Sequence, residues 1–375
     1  MRKSQTVLGD ICKITMGQSP DSSTYNTANI GLPFYQGNAD FGELYPKTRI
    51  WCSQPQKIAE PENILLSVRA PIGALNIAKE KCCIGRGLAA ITPHKNFCFN
   101  KYIFYVLKYK HNELNAKGTG STFKAISKSI LNYLPIDLYP IDEQKRIAAI
   151  LDKANELIAL RKQQIEKLDL LVKSRFIEMF GNPITNDRNW DTKNLGELGE
   201  LNRGISKHRP RNAPELLGGN YPLIQTGEIA AAELYITKYT STYSEMGYQQ
   251  SKMWPEGTLC ITIAANIAKT AILKFDACFP DSVVGFISND NANQLFIHFW
   301  FSFFQKILEE QAPVSAQKNI NLQILRALRV INPPLSLQNE FAAFVEQVDK
   351  TKSTLQQSLE KLELNYKALM QTYFG

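Results

Sequence analysis

Residues 144–181 and 338–375 are two versions of one segment. Set against each other without a gap, they agree at eleven positions. Among these are Gln144/Gln338, the Glu-Lys-Leu run at 166–168 and 360–362, and the closing Phe-Gly at 180–181 and 374–375. In both copies the side chains able to face a partner recur at alternating steps of four and three. The first reads Ile147, Leu151, Ala154, Ile158, Arg161, Ile165, Leu168, Val172, Arg175, Met179. The second reads Phe341, Val345, Val348, Lys352, Leu355, Leu359, Leu362, Tyr366, Leu369, Tyr373. That is the seam of a coiled coil. No Pro or Gly interrupts either copy before its end, and the terminal Phe-Gly is a helix stop. At 1.5 Å per residue each copy predicts a rod of about 55 Å, more than the core of a small domain can use. Two rods with matching seams bury them against each other. Self-association of single helices between chains is the competing arrangement, because a seam alone does not choose its partner.

The echo extends upstream of each rod. VLGDICKITMGQSP (7–20) matches NLGELGELNRGISK (194–207) in its Leu-Gly-Asp/Glu start and in Gly17/Gly204. FYQGNADFGELY (34–45) resembles LIQTGEIAAAELY (223–235), and NKYIFYVLKYK (100–110) is answered by NQLFIHFWFSFFQK (293–306). Short β-branched and aromatic runs alternate with Gly/Pro/Asn breaks in both globular stretches, which predicts an α+β fold. The order is therefore a domain at 1–140, a long helix at 141–181, a second domain at 182–333 and a second long helix at 334–375. An antiparallel coiled coil of the helices would relate the two domains by a pseudo-two-fold axis.

Composition narrows the function. The longest apolar run, LFIHFWFSFF (295–304), is too short for a bilayer, which needs about 18–20 such residues. The opening MRKSQTVLGD turns polar at once, so a soluble, cytoplasmic protein is expected. Seven cysteines form no CxxC pair, and four scattered histidines offer no ligand spacing, so no metal is expected. The net charge of +8 is uneven. Residues 1–140 hold 17 Lys+Arg against 9 Asp+Glu, whereas residues 181–333 hold 14 of each. A basic first domain favours a polyanion such as DNA.

Here the residues resemble a known family. The run Leu134-Pro135-Ile136-Asp137-Leu138-Tyr139-Pro140-Ile141-Asp142-Glu143-Gln144-Lys145-Arg146-Ile147 leads into a long helix. It and its echo Val330-Ile331-Asn332-Pro333-Pro334-Leu335-Ser336-Leu337-Gln338 look like the segment joining domain to rod in the specificity (S) subunit of type I restriction–modification systems. A "PPL–EQ" element is typical there; the first copy keeps Glu143-Gln144 and the second Pro333-Pro334-Leu335. The Leu8-Gly9-Asp10 opening and the Gly17-Gln18-Ser19-Pro20 turn are similar to the start of a target-recognition domain. GTGSTFKAIS (118–127) and VSAQKNINLQIL (314–325) are similar to its late loop. The resemblance spans essentially the whole chain. It implies a non-catalytic subunit in which each domain reads one half of a split double-stranded DNA target, with the helix pair setting the gap. Two methyltransferase (M) subunits would bring S-adenosylmethionine, and restriction (R) subunits would bring ATP-driven cleavage. No cofactor is expected on this chain.

Base edges are read by Arg, Asn and Gln, and phosphates are held by Lys, Ser, Thr and backbone amides. The candidates in the first domain are Gln18, Ser19, Asn38, Arg69, Thr119, Ser121, Thr122 and Lys124. In the second they are Arg203, Lys207, Arg209 and Arg211 of RGISKHRPR, with Gln317, Lys318 and Asn319. Two rival functions are weighed. Asn332-Pro333-Pro334-Leu335 imitates the motif of adenine methyltransferases, but Leu335 supplies no aromatic face to stack on an extruded base. A coiled-coil scaffold without DNA specificity predicts no salt-dependent DNA affinity.

Overall fold

The computed structural model describes residues 3–119, 124–264, 267–311 and 320–375. The chain divides into two compact units. The first comprises the chain up to Lys162 together with Gln357–Gly375, and the second is Gln163–Gln356. Their limits fall inside the two long helices, a central helix Ile141–Phe180 and a C-terminal helix Leu335–Phe374.

The first unit is built on an antiparallel sheet in the order Cys12–Met16, Leu88–Pro93, Ile64–Ser67, Leu75–Ile77. Ile64–Ser67 is buried along its whole length, as expected of a short apolar run covered on both faces. A second sheet joins Tyr25–Asn26, Trp51–Cys52, Leu32–Tyr35, Cys82–Ile84 and Ile58–Ala59. The aromatic helix Asn100–Tyr109 turns Tyr102, Ile103, Tyr105, Val106 and Leu107 into the core. The start of the central helix (Ile147, Ala148, Leu151) and the end of the C-terminal helix (Met370, Phe374) complete that core.

The second unit repeats the plan. Its main sheet runs Gly199–Arg203, Val283–Ser288, Leu259–Thr262, Thr270–Leu273, with Tyr235–Ile236 added in parallel at the far edge. The helix Gln294–Gln311 contains the apolar run 295–304 and buries Phe296, Ile297, Trp300 and Phe301. Phe176 and Phe180 of the central helix meet Phe296 and Phe341 with ring centroids 4.9–5.6 Å apart. Each such fully buried ring contributes roughly 1.5–3 kcal/mol.

Within each unit the helices pair antiparallel. In the first, Tyr139 donates to the Tyr373 carbonyl and Lys162 pairs with Glu363 at 2.8 Å. In the second, Asp169 pairs with Lys352 and Arg175 with Glu340. Every seam residue named from the sequence is buried or half-buried. The repeated glutamine has a structural cause. Gln144 is fully buried; its Oε1 accepts from the Phe99 amide and its Nε2 donates to the Tyr139 carbonyl. Gln338, equally buried, does the same with the Asn293 amide and the Pro333 carbonyl.

Candidate nucleic-acid interface

The two turns singled out at Gly17 and Gly204 end the first strand of each main sheet. A Cβ on Gly17 would lie 2.1 Å from the Gly85 carbonyl, and one on Gly204 would lie 2.2 Å from that of Phe279. Only glycine lets the chain pass so close to the neighbouring strand. Immediately beyond Gly17, exposed Gln18 anchors its amide on Ile84, and Ser19 Oγ accepts the amide of Arg86 at 3.3 Å.

Three segments converge here in the first unit. The turn Asn38–Asp40 is fixed by Asp40, whose carboxylate accepts the Gln36 amide at 2.7 Å and pairs with Arg49. Arg69, two residues beyond the strand Ile64–Ser67, bridges to Ala125, which in turn bridges to Thr119. The carbonyl of exposed Lys124 takes the Ala70 amide at 3.3 Å. The result is a cavity of about 300 Å³ lined by Gln36, Asn38, Arg49, Arg69 and Arg86. Arg49 is held by Asp40, while the Arg69 and Arg86 side chains are exposed and make no hydrogen bond or ion pair among the described residues. Guanidinium and carboxamide groups on one concave wall are the chemistry that hydrogen-bonds base edges bidentately.

The second unit builds a matching cavity of about 290 Å³, lined by Arg211, Asn212, Gln225, Thr226, Tyr243 and Ser282. Gln225 stands where Gln36 does, and Glu228 accepts its amide at 3.2 Å as Asp40 does for Gln36. One position is reversed in charge. Leu88 and Val283 receive the amides of Gly17 and Gly204, both at 2.8 Å, and two residues earlier stand Arg86 and Asp281. Asp281 gathers the basic run. Arg203 donates twice to its carbonyl, Arg209 lies 3.2 Å and Arg211 2.6 Å from its carboxylate. Arg209 also donates to the carbonyls of Ser206 and His208. Three of the four cations expected to be free for phosphate are thus fixed by one aspartate, which shapes the loop. Lys207 remains exposed, with its backbone amide on Gln250.

The structure brings Ser19, Asn38, Arg69, Thr119 and Lys124 together through these contacts, and turns Gln18 toward a separate groove with Lys13 and Lys128. Ser121, Thr122, Gln317, Lys318 and Asn319 lie outside the described residues. Sequence reasoning missed Gln36, Arg49, Arg86, Gln225 and Asp281. The echo between FYQGNAD and LIQTGE carried a signal for the two glutamines; nothing local marked the other three.

A further cavity of about 350 Å³ in the second unit shares no lining residue with the loop pocket. Its wall holds Lys352, buried between Asp169 at 2.5 Å and Glu233 at 2.6 Å. Burial draws the lysine pKa down, but the two carboxylate hydrogen bonds outweigh it and the net shift is upward. His298, bonded to Thr270 at 3.0 Å, is pushed down to about 4 by burial. Among the described residues no group of three or more His, Cys, Asp or Glu side chains is placed to hold a metal ion. No described helix is long and apolar enough to cross a membrane.

Asn332-Pro333-Pro334-Leu335 is a helix start. Leu335 is the first helical residue, and the Pro333 carbonyl is taken by Gln338 as that of Tyr139 is taken by Gln144.

Comparison with known proteins places these features in context. A family described as the type I restriction modification DNA specificity domain matches residues 4–170 and again 187–364. A protein of Methanocaldococcus jannaschii named as a type I restriction enzyme MjaX specificity subunit is 45% identical over 157 residues, 42% of this chain and 37% of that protein. The MjaIX specificity subunit of the same organism is 33% identical over 169 residues, 40% of this chain and 38% of that one. The chain therefore spans well under half the length of these two relatives. The fold is shared with the S subunit of a type I restriction–modification system from M. genitalium, with a TM-score of 0.64 at 15% identity, covering 100% of this chain and 96% of that one.

Proposed function

Because the chain belongs to the type I restriction modification DNA specificity domain family, we propose that it is the DNA-reading specificity subunit of a type I restriction–modification complex. Each unit reads one half of a split duplex target, and the long helices they share set the gap between the halves. The observation that carries this reading is a cavity in each unit that places Gln36 and Gln225 at matching positions and adds arginine to the wall, Arg49, Arg69 and Arg86 in the first and Arg211, from the loop after Gly204, in the second. Such groups select bases, while neighbouring lysines and hydroxyls hold phosphate.

The chain itself performs no bond-making in this reading. Its Asn-Pro-Pro-Leu element serves as a helix start. Methylation, with S-adenosylmethionine, belongs to two methyltransferase subunits, and ATP-driven cleavage to restriction subunits. The protein bound to its methyltransferase subunits is to be challenged with random duplex DNA, and the retained molecules sequenced. A split consensus with a fixed unspecified gap is the expected result, and removing a heptad from one long helix should change the gap while leaving both halves intact. One continuous motif would overturn the two-reader function. No retention at low salt would favour a coiled-coil scaffold.

A further inference from the structure

We propose that an open groove along the strand Cys12–Met16 of the first unit is a second, sequence-independent contact for duplex DNA, gripping its phosphate backbone through Lys13, Lys57, His94 and Lys128. The inference rests on the DNA-reading function above and assigns to it a surface beyond the loop pocket.

The groove has a volume of about 1040 Å³, and no carboxylate lines it. Lys13, Lys57, His94 and Lys128 are all exposed there, with Gln18 and Asn132 beside them. None of the three lysines makes an ion pair or a side-chain hydrogen bond among the described residues. The strand is an edge of its sheet, paired on one side only with Leu88–Pro93. A lysine on an edge strand is a common guard against strand addition, and Lys13 alone would serve that purpose. The other three side chains come from separate elements: the residue before the strand Ile58–Ala59, the turn after Leu88–Pro93, and the short helix Lys128–Asn132. Edge protection does not require their convergence.

The second unit supplies an internal control. Lys13 faces Thr92 in its ladder, and Glu200 faces Ile287 at the matching rung. The His94 amide bonds the Ile11 carbonyl at 2.9 Å; in the same role the Asn289 amide bonds that of Leu198 at 3.0 Å. Lys128 opens one short helix and Leu322 opens its counterpart. Lys, His and Lys in the first unit are thus Glu, Asn and Leu in the second. The fold does not demand lysine at 13 or 128, whereas Lys57, before Ile58–Ala59, is matched by Lys252 before Met253–Trp254; the charge excess of residues 1–140 gathers where a polyanion can lie.

The test compares the full-length protein, alone and with its methyltransferase subunits, with the triple variant Lys13→Gln, Lys57→Gln, Lys128→Gln. A control of equal charge carries Lys145→Gln, Lys153→Gln and Lys167→Gln on the central helix. Affinity for random-sequence duplex DNA is read from 50 to 200 mM salt. Each lost phosphate contact flattens the log–log slope by about 0.9, so over this range the wild type should lose roughly 40-fold more affinity than the groove variant. The control should keep the wild-type slope, and the groove variant should keep the selected base preference. Equal slopes for groove variant and wild type, or an equal loss in the control, would overturn the groove while leaving the two readers standing. If the wild type binds no duplex even at low salt, the DNA-reading function falls and the groove with it.

Discussion

Gln144 Oε1 accepts the Phe99 backbone amide at 2.8 Å, joining the first turn of the central helix to the start of the aromatic helix. Gln338 repeats the bond with Asn293 at 2.9 Å. Both glutamines are wholly shielded from solvent, so a lost carboxamide leaves an amide and a carbonyl without water. Replacing either by Ala should destabilise its own unit by about 2–4 kcal/mol, from unpaired polar groups and a cavity. Chemical denaturation followed by hydrogen exchange will check the size and the location. A loss spread evenly over both units would contradict this account.

Lys352 should give the second unit an alkaline limit. Its folded pKa is raised because hydrogen bonds to Asp169 and Glu233 outweigh burial. A raised pKa contributes stability that is fully present below the unfolded value of about 10.5 and is lost as pH rises through the folded value. Melting temperature measured from pH 8 to 12 should therefore drop steeply above pH 10.5. In Lys352→Met, an apolar side chain of similar length, that drop should be smaller.

His298 should give the same unit an acid limit. Burial holds its pKa at about 4, so between the unfolded value of 6.5 and about 4 the unfolded chain binds the extra proton. Stability is then lost as pH falls through that window, by on the order of 3 kcal/mol. The His298→Phe variant places an apolar ring there and should lack this part of the pH dependence. Urea midpoints at pH 7, 5.5 and 4 measure it.

Arg69 and Arg86 should act on one half of the target only. Changing either to Ala is expected to weaken preference at one or two adjacent base pairs by about 1–3 kcal/mol. Selection and sequencing with each variant should show one degenerate half-site and one unchanged. Uniform weakening across all sequences would instead make these residues phosphate contacts.

Asp281→Asn should release Arg209 and Arg211 from their ion pairs. Binding to random duplex is expected to tighten and to become more salt-sensitive, while the half-site read by the second unit becomes less defined. Affinity across a salt series, together with the selected consensus, would separate these effects.

The long helices were legible because a seven-residue period is local information, and each seam residue can be placed by counting. The matching Gln144 and Gln338 were equally visible, but their role was not, since Phe99 and Asn293 are their partners only once the chain has folded back. Arg69 was found beside an apolar strand. Arg49 and Arg86 were not, because separate loops bring them to the same cavity. The run RGISKHRPR read as free positive charge for a related reason: Asp281, which gathers it, lies 72 residues from Arg209. Periodicity reports what a segment buries, whereas a loop's electrostatics depends on distant neighbours.

The cores of the two units close partway along the helices, at Lys162 and Gln356. This defines what can be inherited as a module. A crossover that exchanged only residues 182–333 would graft new strands onto the recipient's Val172, Phe176 and Phe180 and its Phe341 and Val345, all of which belong to the displaced core. Fusion points near mid-helix would carry each reader away with the side chains that fold it. For recombination, natural or engineered, the fertile junction lies within the most regular stretch of the molecule.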